Sequence, residues 1–485
     1  MKKIISDLRI TRAVTALFLA GCLLGFSGGG SAAGPGMATT ADLESPEARV
    51  LTIGDFIRLA SKNDTVFEQI LIDELKLQYR RDLLLPGRDI ILSVKGQYDF
   101  ILNQKREDPE VAVGLDKLFP GSGTHVSVSY ENIPSVSSTT EKSRMDFLIS
   151  QPIAENAFGH ATRLQDKITG IEIDVIRYQI TEAYEDYLAS LINIYYNWYS
   201  AYENLKIGKS SYEQNKQLLD NMNRRAASKI ALPVDVNKVQ LLVIAKEENM
   251  ISLKEAYNNH TNLVITAIRA DDKIEWVPQD PSGFHDFEVD FEEGYRQFTT
   301  SSRTYAILKL LEEKSTLDVK KNADDLLPST NLLLGYTVEG TRWGIKDEDN
   351  MVYAGVSLEW PFPGQKDRAE HKTAEIDLQK TRLTHQNKYL ELYTDLRNLH
   401  LKISREKELI RLTDEKIKLS EAVLTDETRN YSFGKISLND YIDAVNTVDV
   451  NKFNKIIHIV ELKKLLLEWL RLTDHLVDKA RGHGH

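Results

Sequence analysis

The chain has 485 residues, of which 61 are Lys or Arg and 72 Asp or Glu, leaving a net charge of −11. So acidic a balance excludes nucleic acid, which needs a dense basic surface to release phosphate counterions. A single cysteine, Cys22, excludes intrachain disulfides and cysteine metal sites, and 42% hydrophobic residues at a mean hydropathy of −0.34 exclude a bundle of lipid-buried helices.

The N-terminus reads as an export signal. Lys2, Lys3, Arg9 and Arg12 precede an apolar stretch from Ala13 to Leu24, too short to span a bilayer as a helix. Two processing sites compete. Leu19-Ala20-Gly21-Cys22 has the form of a lipobox that would leave Cys22 lipidated, with residues 1–21 removed. Ser31-Ala32-Ala33 has the form of an ordinary cleavage site, with residues 1–33 removed. Residues 34–50, rich in Gly, Ala and Pro, read as a flexible tether.

Prolines then mark the organisation. The windows 153–232 and 364–485 contain none, which permits very long helices. In the first, Tyr184, Leu188, Leu191, Tyr195, Trp198, Tyr202 and Leu205 advance by alternating steps of four and three. In the second, Tyr389, Leu396, Ile403, Ile410, Ile417 and Leu424 recur at every seventh residue. Both are heptad seams of a coiled coil. A helix from Gly364 to Asp426 would run about 90–100 Å. Shorter helices are the alternative for the first window, with Gly170 and Gly208 as candidate breaks.

Ahead of each window the period drops to two. Ile90, Leu92, Val94, Tyr98 and Phe100 alternate with polar residues, as do Leu332, Leu334, Tyr336 and Val338, and then Val352, Ala354, Val356, Leu358 and Trp360. Strands of about ten residues with one apolar face suit a membrane β-barrel, with Tyr98, Phe100, Trp343, Tyr353 and Trp360 placed as interfacial aromatics. Taken alone they equally suit a half-buried sheet in a soluble protein. The stretch at about 103–143 holds one further strand-like run, Val126, Val128 and Tyr130, and reads as a loop or small hairpin outside the barrel.

An internal repeat orders these pieces as helix, Leu-Pro, strand, strand, Pro, long helix, turn, helix. Leu85-Pro86 answers Leu327-Pro328, and Gln151-Pro152 answers Trp360-Pro361. Pro152 lies 83 residues before Asp235 and Pro361 lies 79 before Asp440; Lys229 to Asp235 and Gly434 to Asp440 both span six. The halves are 51–276 and 301–474, joined by a linker at 277–300 and followed by a flexible tail at 475–485. Two strands per half make four per chain, which cannot close around a channel, so symmetric association is required. Three copies would supply twelve strands, although strand arithmetic alone does not choose three.

At this point the chain resembles the TolC family of outer-membrane efflux proteins, from about Leu51 to Asp474. The resemblance rests on Ser301-Ser302-Arg303, Leu327-Pro328, the run from Gly355 to Pro361 ahead of Arg368-Ala369, and Tyr431-Ser432-Phe433-Gly434 followed by Ser437, Leu438, Asp440 and Asp443. It implies a mixed α and β membrane protein: a homotrimeric twelve-stranded barrel in outer-membrane lipid, continued by a coiled-coil helical tunnel in the periplasm. It further implies a passive exit duct docked through a periplasmic adaptor to an inner-membrane transporter. The helix tips, with Lys229, Gly434 and Lys435, would meet the adaptor. Asp440 and Asp443 would ring the tunnel entrance, with Tyr431 and Asp235 in links that keep it shut. Two positions depart from the pattern: Lys229 stands where the first repeat prefers glycine, and Ile436 where some members carry an arginine.

Asp440 and Asp443, spaced i, i+3, share one helix face, but carboxylates also suit a helix N-terminus, and Ser437 ahead of Asp440 fits a capping box. No enzyme motif is present: H-E-x-x-H is missing and Gly434-Lys435 lacks the earlier glycine of a phosphate loop. No cofactor is implied, and His483 and His485 in the tail read as solvated rather than metal-binding. Besides the duct, a secreted coiled-coil scaffold or adaptor without a membrane barrel fits the same patterns.

Overall fold

The computed structural model describes residues 49–84, 89–101, 106–133, 142–270, 274–281, 283, 287–341 and 344–477. Cys22, both processing sites, residues 34–48 of the tether, Leu85-Pro86, Trp343 and the histidine tail lie outside the described residues.

Strand β1 (Arg49–Leu51) pairs in parallel with β6 (Trp276–Pro278), so the end of the expected tether is a strand tied to the border of the linker. Thr52 caps α1 (Ile53–Asn63) by accepting from the Asp55 amide, and α2 (Thr65–Leu84) follows. The second half repeats this pair as α5 (Phe291–Ser301) and α6 (Arg303–Asp324). Ser302, from the motif singled out above, caps α6 by accepting from the Tyr305 amide.

The two long helices are α3 (His160–Ala227) and α7 (Gln365–Ser432), each of 68 residues and so about 100 Å long. Each starts after a glycine in the left-handed region, Gly159 at φ 76° and Gly364 at φ 66°. Gly170 and Gly208 lie inside α3 without interrupting it. Gly208 is a close-approach site, since a Cβ there would meet Leu253 Cδ1 at 2.6 Å. The return helices are α4 (Pro233–Ile268) on α3 and α8 (Leu438–Leu472) on α7, with 36 and 35 residues.

The predicted seams are packed where the helices meet. Leu191, Tyr195, Trp198, Leu205, Leu396 and Ile403 are all buried. Beyond Ile403 the buried positions of α7 turn polar, Glu406, Thr413 and Ser420, again seven apart. His458 Nδ1 of α8 lies 2.9 Å from Glu406, and Asn451 donates to Ser420 Oγ.

The sheet corrects the strand count. Six antiparallel strands, not four, form one sheet in the order β2 (Ile90–Ile101), β3 (Arg106–Phe119), β4 (Thr124–Ile133), β5 (Lys142–Pro152), β7 (Ser329–Thr341) and β8 (Gly344–Glu359). The stretch at about 103–143, expected to be a loop or small hairpin outside the barrel, supplies β3 and β4, both in the interior of the sheet. Register aligns one apolar row across all six strands: Leu92 opposite Leu115, then Val128, Phe147, Tyr336 and Val352. The alternate row is polar, with Ser93, Ser129, Asp146 and Thr337 in line and Arg144 donating to Glu339 at 2.7 Å. Tyr353 belongs to this second face, mid-strand and over Gly335, and is not an interfacial aromatic; Trp360 and Phe362, at the helix end, are both exposed.

The tail assignment also shifts. Leu476 is buried and the Val477 amide donates to Glu185, so packing continues past Asp474.

Candidate functional site

Both helix hairpins close with the same backbone device. In the first, the Ile230 amide reaches Arg225 O at 2.8 Å and the Lys229 amide reaches Ala226 O at 2.9 Å. In the second, Lys435 reaches Asn430 O at 2.9 Å and Gly434 reaches Tyr431 O at 3.0 Å. This paired pattern satisfies the last carbonyls of a helix and needs a left-handed residue just past its end. Lys229 at φ 62° and Gly434 at φ 70° fill that position.

The return helices start differently. Pro233 opens α4 at its first turn, where a missing amide costs nothing. Ser437 and Asp440 form a complete capping box on α8: Ser437 Oγ accepts from the Asp440 amide and the Asp440 carboxylate accepts from the Ser437 amide at 3.1 Å. Asp235 and Asp440 therefore occupy the same helical position, three past the cap. Asp443 is exposed one turn on, outside the box.

Met222, Val239, Val243 and Leu438 form the buried core that joins the two hairpins. Tyr431 packs at its edge. Its ring stacks on Tyr441 at 5.4 Å, the Arg225 guanidinium lies 5.4 Å above it, and its hydroxyl donates to Met222 Sδ at 3.1 Å. Burial pushes the Tyr431 hydroxyl above its ordinary value, and the nearby Asp235 carboxylate adds to that shift. The structure thus sets Arg225 over Tyr431, while Asp440 is engaged with Ser437. Lys238 of α4 donates to Asn439 of α8 at 3.3 Å, a second link between the hairpins.

Sequence reasoning assigned no role to Arg225, Met222 or Tyr441. Arg224 and Arg225 lie in the last turn of α3, where any cation suits the helix dipole, so the sequence carries no sign of the ring contact. It also missed Asp449 of α8, buried against Lys246 Nζ of α4 at 2.7 Å and accepting from Ser211 of α3. The tip surface is apolar: Ile230 (68%), Leu232 (64%) and Phe433 (70%) stand exposed around Lys229, Gly434 and Lys435. Lys435 Nζ lies 5.6 Å from the Phe433 ring centre.

Among the described residues one group of carboxylates converges, Glu182, Glu185 and Asp474, far along the chain from the tips. The cation it holds is the guanidinium of Arg303, which bonds Glu182 at 3.2 Å and Asp474 at 2.9 Å and pairs with Glu185. The third residue of the Ser301-Ser302-Arg303 motif therefore ties the start of the second half to α3 and to the residue two past the end of α8.

No protein-family model matches the sequence, and no curated protein matches it. Solved structures do share its architecture. CusC, studied for its folding and transmembrane channel formation, superposes with a TM-score of 0.66 at 10% identity, over 87% of this chain and 91% of that one. The Campylobacter jejuni CmeC outer membrane channel gives 0.65 at 12% identity, over 87% and 85%. The Neisseria gonorrhoeae MtrE outer membrane channel, solved in its open state, gives 0.63 at 13% identity, over 87% and 89%. The chain has the fold of these outer-membrane channels, the class of protein its resemblance to the TolC family implies, with six strands in its sheet where four were expected.

Proposed function

We propose that the protein is an outer-membrane exit duct, a homotrimer that passively conducts substrates outward from a periplasmic adaptor and an inner-membrane transporter in an efflux or type I secretion system. The observation that carries this reading is the uncovered apolar face of the six-stranded sheet. Leu92 (63%), Leu334 (52%), Val352 (72%) and Val356 (65%) stand exposed on one face of the sheet, whose strands β5 and β8 lead into the long helices. Lipid is the solvent that such a face suits, provided the sheet edges are closed by further copies. A soluble scaffold would leave that face in water, a contiguous patch that soluble proteins avoid. No helix among the described residues is long and apolar enough to cross a membrane, so the sheet is the element that would do so.

The tips support the rest of the reading. Exposed Ile230, Leu232 and Phe433 offer an apolar docking surface for the adaptor, with Lys229, Gly434 and Lys435 among them. The polar α7 seam below Ile403 packs less tightly by hydrophobic burial than the part above, which suits a tunnel end that opens. Asp440 and Asp443 would line that end.

The experiment is fractionation followed by mass measurement in detergent and conductance in a planar bilayer. A detergent-dependent trimer from the outer membrane that conducts ions is expected. A detergent-free monomer in the periplasm would overturn the reading in favour of a scaffold.

A further inference from the structure

We infer that β3 and β4 are part of the membrane wall, so that three copies close a barrel of eighteen strands rather than twelve. The inference rests on the membrane reading above and extends it.

Three independent observations carry it. First, the apolar row crosses β3 and β4 without a break: Leu115 and Val128 stand in register between Leu92 on one side and Phe147 on the other. A hairpin outside the wall would have no reason to continue the lipid-facing row of its neighbours, because slipping the register by one residue would turn each strand over.

Second, the β3–β4 turn is seated on the start of α3. Arg163 donates to Gly121 O at 2.7 Å, Gln151 Nε2 donates to Ser122 O at 2.9 Å, and Thr124 Oγ1 donates to Gln151 at 2.6 Å. Gly123, at φ 70°, leaves no room for a side chain, since a Cβ would meet Pro152 at 2.9 Å and the Gly159 amide at 3.0 Å. The turn is therefore built into the end of the sheet from which the helices leave.

Third, the edges fit one another. Six antiparallel strands put β2 and β8 at the two edges running in opposite directions, so β8 of one copy beside β2 of the next continues the antiparallel pattern. No strand is left odd, and no edge is left facing lipid. With about 4.8 Å between strands and a tilt of about 40°, eighteen strands enclose a backbone diameter of about 36 Å, against about 24 Å for twelve. Each chain still sends only four long helices into the tunnel.

Single cysteines in proteoliposomes test this, at Val113 and Val128 on the apolar face, Ser127 and Ser129 on the polar face, and Leu334 on β7 as reference. Each is attached to an environment-sensitive fluorophore and read with a lipid-borne quencher and a water-soluble one. Val113→Cys and Val128→Cys should match Leu334→Cys, quenched from lipid with loss of aqueous quenching, and Ser127→Cys and Ser129→Cys should show the reverse. Aqueous quenching at Val113 and Val128 while Leu334 stays in lipid would overturn the eighteen-stranded wall and leave the duct intact. Aqueous quenching at all five positions would overturn the membrane reading itself.

Discussion

Lys229 and Gly434 occupy the same position in the two tip turns, and both adopt left-handed backbone angles, φ 62° and 70°. The repeat holds its geometry there while its chemistry differs. A lysine in this region carries Cβ strain that glycine does not, on the order of 1 kcal/mol. Lys229→Gly should therefore stabilise the first tip by about 1 kcal/mol, less the entropy glycine adds to the unfolded chain. Gly434→Ala should destabilise the second by a similar amount. Thermal unfolding in detergent measures both, and equal melting of all three proteins would mean that the turns do not need the left-handed position.

Val356, opposite Leu332 in the apolar face, is 65% exposed. If that face meets lipid, Val356→Arg should cost about 2–4 kcal/mol near mid-bilayer and less towards the interfaces. Folding titration into liposomes reads the cost. Normal assembly of the variant would place lipid on the opposite face.

The repeat, the long helices and the tip turns were legible because each rests on local signals. Proline-free windows and seven-residue spacing bracket α3 within 153–232 and place the start of α7 at Gly364, one residue before Gln365. Strands β3 and β4 were misjudged for equally local reasons. Pro109 lies inside β3, where proline usually signals an edge or no strand, and Ala112 and Gly114 blur its alternation. Only pairing with β2 and β5 shows that Val113 and Val128 continue a row. The Arg303 cluster was illegible in a different way. Its partners Glu182 and Asp474 lie 121 and 171 residues away, and no spacing rule joins groups that meet only when both halves are folded. The tyrosine cluster at the tips is similar, since Tyr431 meets Met222 across 209 residues.

Arg303 faces three carboxylates, and Glu185 is fully buried among them. Burial pushes the Glu185 carboxyl up to about 7 from its ordinary 4.5, outweighing the Arg303 pairing that lowers it. The fold therefore holds that proton more tightly than the unfolded chain does. Its contribution is complete below about pH 4.5, falls as pH rises towards about 7, and is flat above that. Stability measured from pH 5 to 8 should decline, and Glu185→Gln should reduce the slope. Arg303→Met should cost about 3–5 kcal/mol, more at pH 8 than at pH 5, because it strands the carboxylates without a cation. A pH profile unchanged by Glu185→Gln would show that Glu185 does not titrate in this range.

Lys435 stands in the second tip turn beside exposed Phe433, at the end of about 100 Å of helix leading from the strands. A photo-crosslinker replacing Lys435 should capture the adaptor in intact cells, as should one replacing Ile230 in the first tip. Positions beside the sheet, such as Phe362, should not. Capture only from Phe362 would move the docking surface away from the tips.

The capping box separates Asp440 from Asp443, two carboxylates that the resemblance treats as a pair. Asp440 accepts from the Ser437 amide and stabilises the start of α8, so Asp440→Ala should cost about 1 kcal/mol whether or not it faces a tunnel. Asp443 is exposed and outside the box, so Asp443→Asn should leave stability unchanged. In a trimer the two positions would form stacked rings of like charge, which attract cations and favour block by multivalent ones. Single-channel conductance then separates the roles. Asp443→Asn alone should weaken cation selectivity, and Asp440→Ala with Asp443→Ala should abolish multivalent block. Selectivity and block that survive the double substitution, in a trimer that assembles normally, would reduce Asp440 to a helix cap and leave Asp443 without a part in the gate.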